Sequence, residues 1–339
     1  MKKISVLGAG TWGMALARML SNSGNEVTVW SALPAEVESY DKERRHPNLP
    51  GMIIPEAISF TGDISEACKD RDILLFAVPS IFVRGTAAQA APFIPEGQIM
   101  VSVAKGLEQD TNMTMTEIME DEFEKAGLKG ARLVALSGPT HAEEVARDLP
   151  STIVSASEDE EAARFVQDVF MNTNLRVYTN PDIKGVELCG AVKNILALAA
   201  GTLAGLGFGD NAKAALITRG IAEMSRLGRA MGCSEQTFTG LAGIGDLIVT
   251  ATSVHSRNNK AGFLLGQGYT PEEAVKEVGM VVEGINALPG IIQLAEKLNV
   301  ELPIVQAVDS VVTYGKDPLE AVHILMSRNK KAEVEFVND

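Results

Sequence analysis

A single lysine stands in the middle of a long apolar segment of this chain. The segment Gly185–Gly205 reads GVELCGAVKNILALAAGTLAG, and its only charged residues are Glu187 and Lys193. The segment predicts a helix in which Lys193 is partly buried, and burial lowers the pKa of an ammonium group toward neutral pH. The alternative is a lysine that extends to water or pairs with a carboxylate for structural reasons. We therefore regard Lys193 as the candidate general acid–base residue.

Two later segments could complete a site around this lysine. Three glycines precede Asp246 in Gly240–Asp246, which indicates a tight turn or a close backbone approach. Asp246 could bind a hydroxyl, position Lys193 or only cap a helix. In Ser256-Arg257-Asn258 a capping hydroxyl, a predicted helix N-terminus and a guanidinium together form an anion site, although a helix cap beside a surface arginine is the alternative. This segment is the best phosphate candidate in the second half of the chain.

The N-terminus carries a glycine pattern typical of dinucleotide binding. Gly8-Ala9-Gly10-Thr11-Trp12-Gly13 fits G-x-G-x-x-G, follows a predicted strand and opens a predicted helix. The first glycine allows a tight turn, the second lets the backbone approach a pyrophosphate, and the third lets helix and strand pack closely. A glycine-rich turn without a ligand is the alternative, but the position on the first strand favours the dinucleotide.

The end of the second predicted strand does not decide between NAD and NADP. It reads Trp30-Ser31-Ala32-Leu33, without the acid that normally binds the ribose 2′-hydroxyl. Glu36 lies beyond, and Arg44 and Arg45 stand in a loop that could fold back or face solvent. We expect both cofactors to be used, with a slight preference for NADP because the discriminating acid is missing.

Other candidate contacts stand where later strands end. Pro79 and Ser80, Lys105, and Gly138-Pro139-Thr140 follow three different predicted strands. Ligands of open α/β sheets collect at the carboxyl ends of the strands, so these residues should face one cleft. For Lys105 an ordinary surface lysine is the alternative.

The pattern of elements changes near Pro181. Before it, short apolar runs alternate with helical stretches such as Gly13–Ser23 and Asp159–Phe170, which predicts a parallel sheet covered on both faces. The predicted strands are Ile4–Leu7, Glu26–Trp30, Asp72–Ala77, Met100–Val103, Leu133–Leu136, Thr152–Ser155 and Leu175–Tyr178. After it we predict only helices: Gly185–Gly205, Asn211–Met231, Pro271–Val278, Val282–Leu298 and Ile304–Tyr314. The fold class is an α/β domain over residues 1–180 and an all-α domain over residues 181–339.

Composition limits the function classes. The chain has 339 residues with 46% hydrophobic and 22% charged, enough for two cores, and its net charge of −14 argues against nucleic acid and anionic membranes. An anionic substrate would therefore need local cations. The three cysteines are scattered, which predicts reduced thiols, and the four histidines are scattered too, which predicts no metal site. We see no signal peptide and no apolar run long enough to span a membrane, so we expect a cytoplasmic protein.

The order of these motifs resembles one known family. GAGTWG, AVPS, AKGLE, LSGPTHAEEVA, GVELCGAVKNILALAAG, GLAGIGDLIVTATSVHSRN and VVEG are similar, in this order, to bacterial NAD(P)-dependent glycerol-3-phosphate dehydrogenases, over about residues 3 to 325. The resemblance implies a Rossmann-like N-terminal domain, an all-helical C-terminal domain and a site in the cleft between them. It implies proton transfer by Lys193 and substrate contacts for Lys105, Gly138, Thr140, Asp246, Ser256, Arg257 and Asn258. It implies cofactor contacts, besides the glycine loop, for Thr11, Trp12, Lys105, Ala142, Arg257, Val281 and Glu283.

The implied reaction is the reduction of dihydroxyacetone phosphate to glycerol 3-phosphate for phospholipid synthesis, in an enzyme compatible with a homodimer. The chain departs from the family at Ala32, where many members have His or Arg, which puts the usual contact with the 2′-phosphate in doubt. A β-hydroxyacid dehydrogenase is the nearest alternative, but it should lack the GxGD and SRN segments together. A non-catalytic dinucleotide-sensing regulator is the other, and it would have no reason to retain a lone lysine in an apolar helix.

Overall fold

The computed structural model describes residues 1–171, 174–330 and 332–333, and its first half forms one eight-stranded sheet. The strands are β1 (Lys3–Leu7), β2 (Glu26–Trp30), β3 (Ile58–Thr61), β4 (Ile73–Phe76), β5 (Ile99–Ser102), β6 (Arg132–Ser137), β7 (Ser151–Ala156) and β8 (Leu175–Asn180). Their spatial order is β3-β2-β1-β4-β5-β6-β7-β8. The first six follow the strand order of a doubly wound dinucleotide-binding sheet, and β7 and β8 extend it.

One strand breaks the parallel arrangement expected from the sequence. β7 runs antiparallel to β6, with Leu136 opposite Ser155, whereas all other neighbouring strands in the sheet are parallel. The predicted parallel sheet is therefore confirmed as a mostly parallel one. β3 was not predicted, because it has only four residues and lies at the edge of the sheet, where two of its side chains are not fully buried.

In the described residues of this half, seven α-helices connect and cover the strands. They are α1 (Thr11–Asn22), α2 (Pro34–Glu43), α3 (Ile64–Cys68), α4 (Val83–Ala90), α5 (Met115–Lys125), α6 (Ala142–Val145) and α7 (Glu160–Phe170). The predicted helices Gly13–Ser23 and Asp159–Phe170 correspond to α1 and α7. Asp159 caps α7 by accepting a hydrogen bond from the N–H of Ala162.

The second half consists of helices in its described residues, 181–330. They are α8 (Ile183–Gly205), α9 (Asp210–Ala230), α10 (Glu235–Phe238), α11 (Asp246–Thr252), α12 (Arg257–Gly266), α13 (Pro271–Val278), α14 (Glu283–Lys297), α15 (Pro303–Val312) and α16 (Pro318–Met326). The five predicted long helices correspond to α8, α9, α13, α14 and α15 within three residues at each end. β8 ends at Asn180 and α8 begins at Ile183; the domain boundary at residue 180 stays a prediction.

α8 is the central helix of this half and is buried along most of its length. It crosses α12 so closely that a Cβ at Gly201 would lie 2.0 Å from the carbonyl oxygen of Asn259, and one at Gly262 would lie 1.9 Å from that of Leu198. By length and composition α8 could cross a membrane, but 83% of its apolar window is buried inside the fold. α8 is therefore hydrophobic because it is a core helix.

The three cysteines are free thiols, and Cys233 is only half-buried.

Candidate active site

The glycine loop between β1 and α1 has the shape that a dinucleotide pyrophosphate needs. Gly8 has a φ of +125°, and a Cβ there would lie 2.8 Å from the backbone of Ala77. A Cβ at Gly13 would lie 2.2 Å from the carbonyl oxygen of Gly8, so helix and strand could not pack as they do. These two positions require glycine because of the close approach of backbone to backbone.

The side of the loop that faces the cleft is open. No atom lies within 4 Å of a Cβ built on Gly10, and no side chain caps the N-terminus of α1. Gly10, Thr11 and Trp12 line the cleft. Free N–H groups at a helix N-terminus bind phosphate, so the residues present fit a dinucleotide.

The cleft lies at the carboxyl ends of the strands and is closed by the helical half. Lys105 follows β5, and Gly138 and Thr140 follow β6. Lys105, Thr140 and Ala142 line the cleft together with Lys193, Ser256, Arg257, Val281 and Glu283. The structure therefore brings most of the predicted site residues to one place.

Two lysines from different halves share one buried carboxylate. The Nζ atom of Lys193 donates to Oδ1 of Asp246 at 2.8 Å and to Oγ1 of Thr250 at 2.7 Å. The Nζ atom of Lys105 donates to Oδ2 of Asp246 at 2.6 Å and to the carbonyl oxygen of Gly138 at 3.3 Å. Asp246 is 1% exposed and lies behind both lysines, so it is placed to position them. A direct contact between Asp246 and substrate stays a prediction.

The surroundings of Lys193 adjust its pKa to a value useful for proton transfer. Burial lowers the pKa of Lys193 to about 8; the neighbouring charge of Lys105 acts in the same direction, and Asp246 opposes both. Burial alone would raise the pKa of Asp246, but the charges and hydrogen bonds of Lys105 and Lys193 hold it below its ordinary value. The lysine can thus exchange a proton near neutral pH while its partner stays ionised.

A short π-helical turn directs Asp246 into this cluster. The turn spans Leu241–Gly245 and runs directly into α11, so Asp246 is not the helix cap that the sequence allowed. Gly243 is required here because its Cβ would lie 2.1 Å from the carbonyl oxygen of Phe238. Of the three glycines before Asp246, Gly243 therefore serves close packing, and π-helical turns of this kind are frequent at functional sites.

The predicted anion segment at the start of α12 divides into three different roles. Ser256 caps the helix, since its Oγ accepts from the N–H of Asn259 at 3.1 Å. Asn258 is buried and joins α8 to α14: its amide donates to Oδ1 of Asn194 and accepts from the N–H of Gly284. Arg257 is exposed and lines the cleft, and no hydrogen bond or ion pair holds its guanidinium within the described chain. Arg257 is therefore the group best placed to meet an anion.

Two histidines without a predicted role lie beside this segment. His141 and His255 both line the cleft, with ring centroids 6.0 Å apart. Burial lowers the pKa of His141, against a hydrogen bond from its ring to the carbonyl of Val249. In the sequence, only their positions in the motifs THAEE and VHSRN indicated that these histidines lie near the site.

Among the described residues no group of three His, Cys, Asp or Glu side chains is placed to hold a metal ion.

Glu283 connects the two halves across the cleft. Its Oε1 accepts from the N–H of Ser80 at 3.0 Å, and its second oxygen accepts from the Ser80 hydroxyl. Ser80 follows β4, so this contact fixes the start of α14 against the carboxyl edge of the sheet. Val281 and Met280 line the cleft immediately before α14.

The side chain of Glu36 returns to the end of β2. Glu36 lies beyond the strand, on α2, as the sequence indicated, and its Oε2 accepts a hydrogen bond from the Ser31 hydroxyl at 2.6 Å. Arg44 does not fold back toward the strand end, because its guanidinium is bound to the carbonyl oxygens of Pro55 and Ile58 and to Asp41. A carboxylate, not a cation, therefore stands beside the end of β2.

Family models match both halves of the chain. One described as NAD-dependent glycerol-3-phosphate dehydrogenase N-terminus matches residues 3–163. One described as NAD-dependent glycerol-3-phosphate dehydrogenase C-terminus matches residues 182–323.

Individual relatives agree over nearly the whole chain. The chain is 65% identical over 335 residues to glycerol-3-phosphate dehydrogenase [NAD(P)+] 2 of Lactobacillus delbrueckii subsp. bulgaricus, covering 98% of this chain and 99% of that protein. It is 48% identical to glycerol-3-phosphate dehydrogenase [NAD(P)+] of Bacillus subtilis, covering 99% and 97%. Its structure is similar to the crystal structure of glycerol-3-phosphate dehydrogenase from Coxiella burnetii, with a TM-score of 0.92, 35% identity and coverage of 96% and 99%.

Proposed function

Because the chain belongs to the NAD-dependent glycerol-3-phosphate dehydrogenase family, we propose that its cleft reduces dihydroxyacetone phosphate to glycerol 3-phosphate. The bound dinucleotide, NADH or NADPH, supplies the hydride that is added to the C2 carbonyl carbon. The oxygen of that carbonyl must gain a proton, and the protein supplies it. The observation that carries the proposal is the ion-pair network at the cleft, in which Lys105 and Lys193 share the buried carboxylate of Asp246.

Lys193 is the catalytic residue in this proposal. As an ammonium it polarises the carbonyl oxygen and gives it a proton; in the oxidising direction, as an amine, it removes the proton from the C2 hydroxyl. Asp246 and Thr250 hold its Nζ in place. A pKa of about 8 makes both protonation states accessible near neutral pH.

The remaining residues hold the substrate. Lys105 stands next to Lys193 on the same carboxylate, where a second ammonium can bind a substrate hydroxyl. Arg257, at the N-terminus of α12, binds the phosphate, and Ser256 and Asn258 fix the helix that presents it. These cations provide local positive charge for an anionic substrate in a protein whose net charge of −14 would repel it.

The cofactor is held mainly by the sheet side of the cleft, with further contacts from the helical side. The loop of Gly8, Gly10 and Gly13 takes the pyrophosphate at the N-terminus of α1. Thr11, Trp12, Lys105, Ala142, Arg257, Val281 and Glu283 are proposed as further cofactor contacts, and all of them line the cleft.

The cellular setting completes the proposal. We place the reaction in the cytoplasm, where its product feeds phospholipid synthesis, without nucleic-acid or membrane partners. A homodimer stays a prediction, for which size-exclusion chromatography with light scattering is the test.

Oxidation of NADH and NADPH by the purified chain tests the function. Dihydroxyacetone phosphate should be turned over, whereas acetoacetate and other 3-oxo acids should not. A preference for 3-oxo acids would instead indicate a β-hydroxyacid dehydrogenase. Dinucleotide binding without turnover of any carbonyl compound would indicate a dinucleotide-sensing regulator.

A further inference from the structure

A carboxylate is fixed at the end of β2 by the residue that follows the strand. Ser31 is buried, with 5% exposure, and its hydroxyl donates to Oε2 of Glu36 at 2.6 Å. The same hydroxyl accepts from the N–H of Leu33 at 3.1 Å. Both hydrogen-bonding capacities of the serine thus serve the turn between β2 and α2 and the placement of Glu36.

This carboxylate lies beside the dinucleotide loop. The N–H of Gly8 donates to the carbonyl oxygen of Trp30, the residue immediately before Ser31, at 2.9 Å. Burial lowers the pKa of His46, while the nearby backbone of Ala9 in the loop and the charge of Glu36 act in the opposite direction. Glu36 is half-buried, and in the described chain no donor other than Ser31 is hydrogen-bonded to it. Its Oε1 atom thus has no hydrogen-bond donor among the described residues.

The cations nearby in the sequence are placed differently. Arg44 is bound to Pro55, Ile58 and Asp41 and stacks on Phe60. Arg45 is exposed on the following loop. Of these three charged side chains, the one hydrogen-bonded at the end of β2 is therefore the carboxylate of Glu36.

The geometry points to Glu36 as the residue that selects the cofactor, with NADH preferred over NADPH. A carboxylate at this position accepts hydrogen bonds from the ribose hydroxyls of NADH and repels the 2′-phosphate of NADPH. Ser31 is the positioning residue that holds the carboxylate there. This inference rests on the proposed use of a nicotinamide dinucleotide, and it reverses the slight preference for NADP that the sequence alone suggested.

Direct binding tests the inference without catalysis. Dissociation constants for NADH and NADPH are measured by fluorescence titration on the wild-type chain, Glu36→Gln, Ser31→Ala and Glu38→Gln. Glu38 lies on the same helix, is exposed and serves as the matched charge control. The wild type should bind NADH about 10- to 100-fold more tightly than NADPH, the usual scale for charged hydrogen bonds. Glu36→Gln should remove most of that ratio, Ser31→Ala part of it, and Glu38→Gln none.

Equal affinities of the wild type for the two dinucleotides, or an unchanged ratio in Glu36→Gln, would overturn the inference. Loss of NADPH binding in Arg45→Ala without any effect of Glu36→Gln would assign the selection to the arginine. Because these titrations contain no carbonyl substrate, their outcome is independent of whether dihydroxyacetone phosphate is reduced, and that activity is assayed separately at saturating cofactor.

Discussion

At the residue scale, the protonation of Lys193 depends on two neighbours with opposite effects. Asp246 stabilises the ammonium by charge and hydrogen bond, while burial and Lys105 destabilise it. The ammonium is the form that donates a proton, so carbonyl reduction requires Lys193 to be charged. The pKa of about 8 sets the pH range over which the ammonium, needed for reduction, gives way to the amine, needed for oxidation.

The pH dependence of turnover follows from this balance. For carbonyl reduction kcat should fall as pH rises through about 8, and for alcohol oxidation kcat should rise over the same range. Asp246→Asn removes the charge that raises the pKa of Lys193, so the fall in reductive kcat should move to lower pH. Asp182→Asn alters the N-cap of α8, the helix that carries Lys193, and controls for general destabilisation. It should leave the midpoint of the pH profile in place. A midpoint unaffected by Asp246→Asn would separate the carboxylate from the titrating lysine.

Arg257 gives the clearest test of how the phosphate is recognised. Arg257→Ala should lower kcat/KM for dihydroxyacetone phosphate by about 10- to 100-fold or more, because a charged hydrogen bond contributes about 1.5–3 kcal/mol. For unphosphorylated dihydroxyacetone, kcat/KM should fall much less. Lys260→Ala, on the same helix but outside the cleft lining, is the matched control. With cofactor saturating, equal losses for the two substrates would show that Arg257 does not read the phosphate.

At the element scale, the crossing of α8 and α12 places the two halves of the substrate site. Lys193 lies on α8, and Arg257 begins α12. Glycines from both helices allow the close approach: Cβ atoms at Gly201, Gly205, Gly262 and Gly266 would lie 1.9–2.4 Å from backbone oxygens of the facing helix. The distance between the proton donor and the phosphate site is therefore set by backbone contact.

The crossing predicts a large effect of a single methyl group. Gly262→Ala should lower the free energy of unfolding by about 1–3 kcal/mol or more, since overpacked cores must shift backbone atoms. Gly85→Ala is the matched control, because Gly85 is at an exposed position of α4 with no atom within 4 Å of its Cβ. That change should be neutral or stabilise by up to about 1 kcal/mol. Urea denaturation measures both, and equal stabilities would contradict the close packing described for α8 and α12.

Periodicity and glycine spacing predicted most of these elements, because residues close together in the sequence determine them. Gly8, Gly10 and Gly13 mark a strand–turn–helix, and the apolar run around Lys193 marks a core helix. β3 was missed because a four-residue edge strand carries little pattern, and the reversed direction of β7 has no local signal.

Side-chain partners far apart in the chain could not be predicted in the same way. The pairing of Lys105 with Asp246 joins residues 141 positions apart, and that of Ser80 with Glu283 joins residues 203 apart. Glu36 shows the same limit over a short distance. Five residues separate it from Ser31, but only the turn after β2 brings the two side chains together.

At the scale of the whole molecule, the sheet half and the helical half have separate tasks. The glycine loop on the sheet side is placed to hold the dinucleotide, and α8, α11 and α12 carry the groups for proton transfer and substrate binding. Lys105–Asp246 and Ser80–Glu283 connect the halves at the cleft. Lys193 lies on α8, outside the proposed cofactor contacts, so its loss should affect turnover without affecting cofactor binding.

The turnover and NADH affinity of Lys193→Ala test this account most directly. With dihydroxyacetone phosphate, kcat should fall by about 100-fold or more, the usual scale of general acid–base catalysis, while the dissociation constant for NADH stays within about twofold of wild type. Lys260→Ala again serves as the control for loss of a lysine outside the site. A Lys193→Ala enzyme that retains near wild-type turnover would contradict the assignment of proton transfer to Lys193.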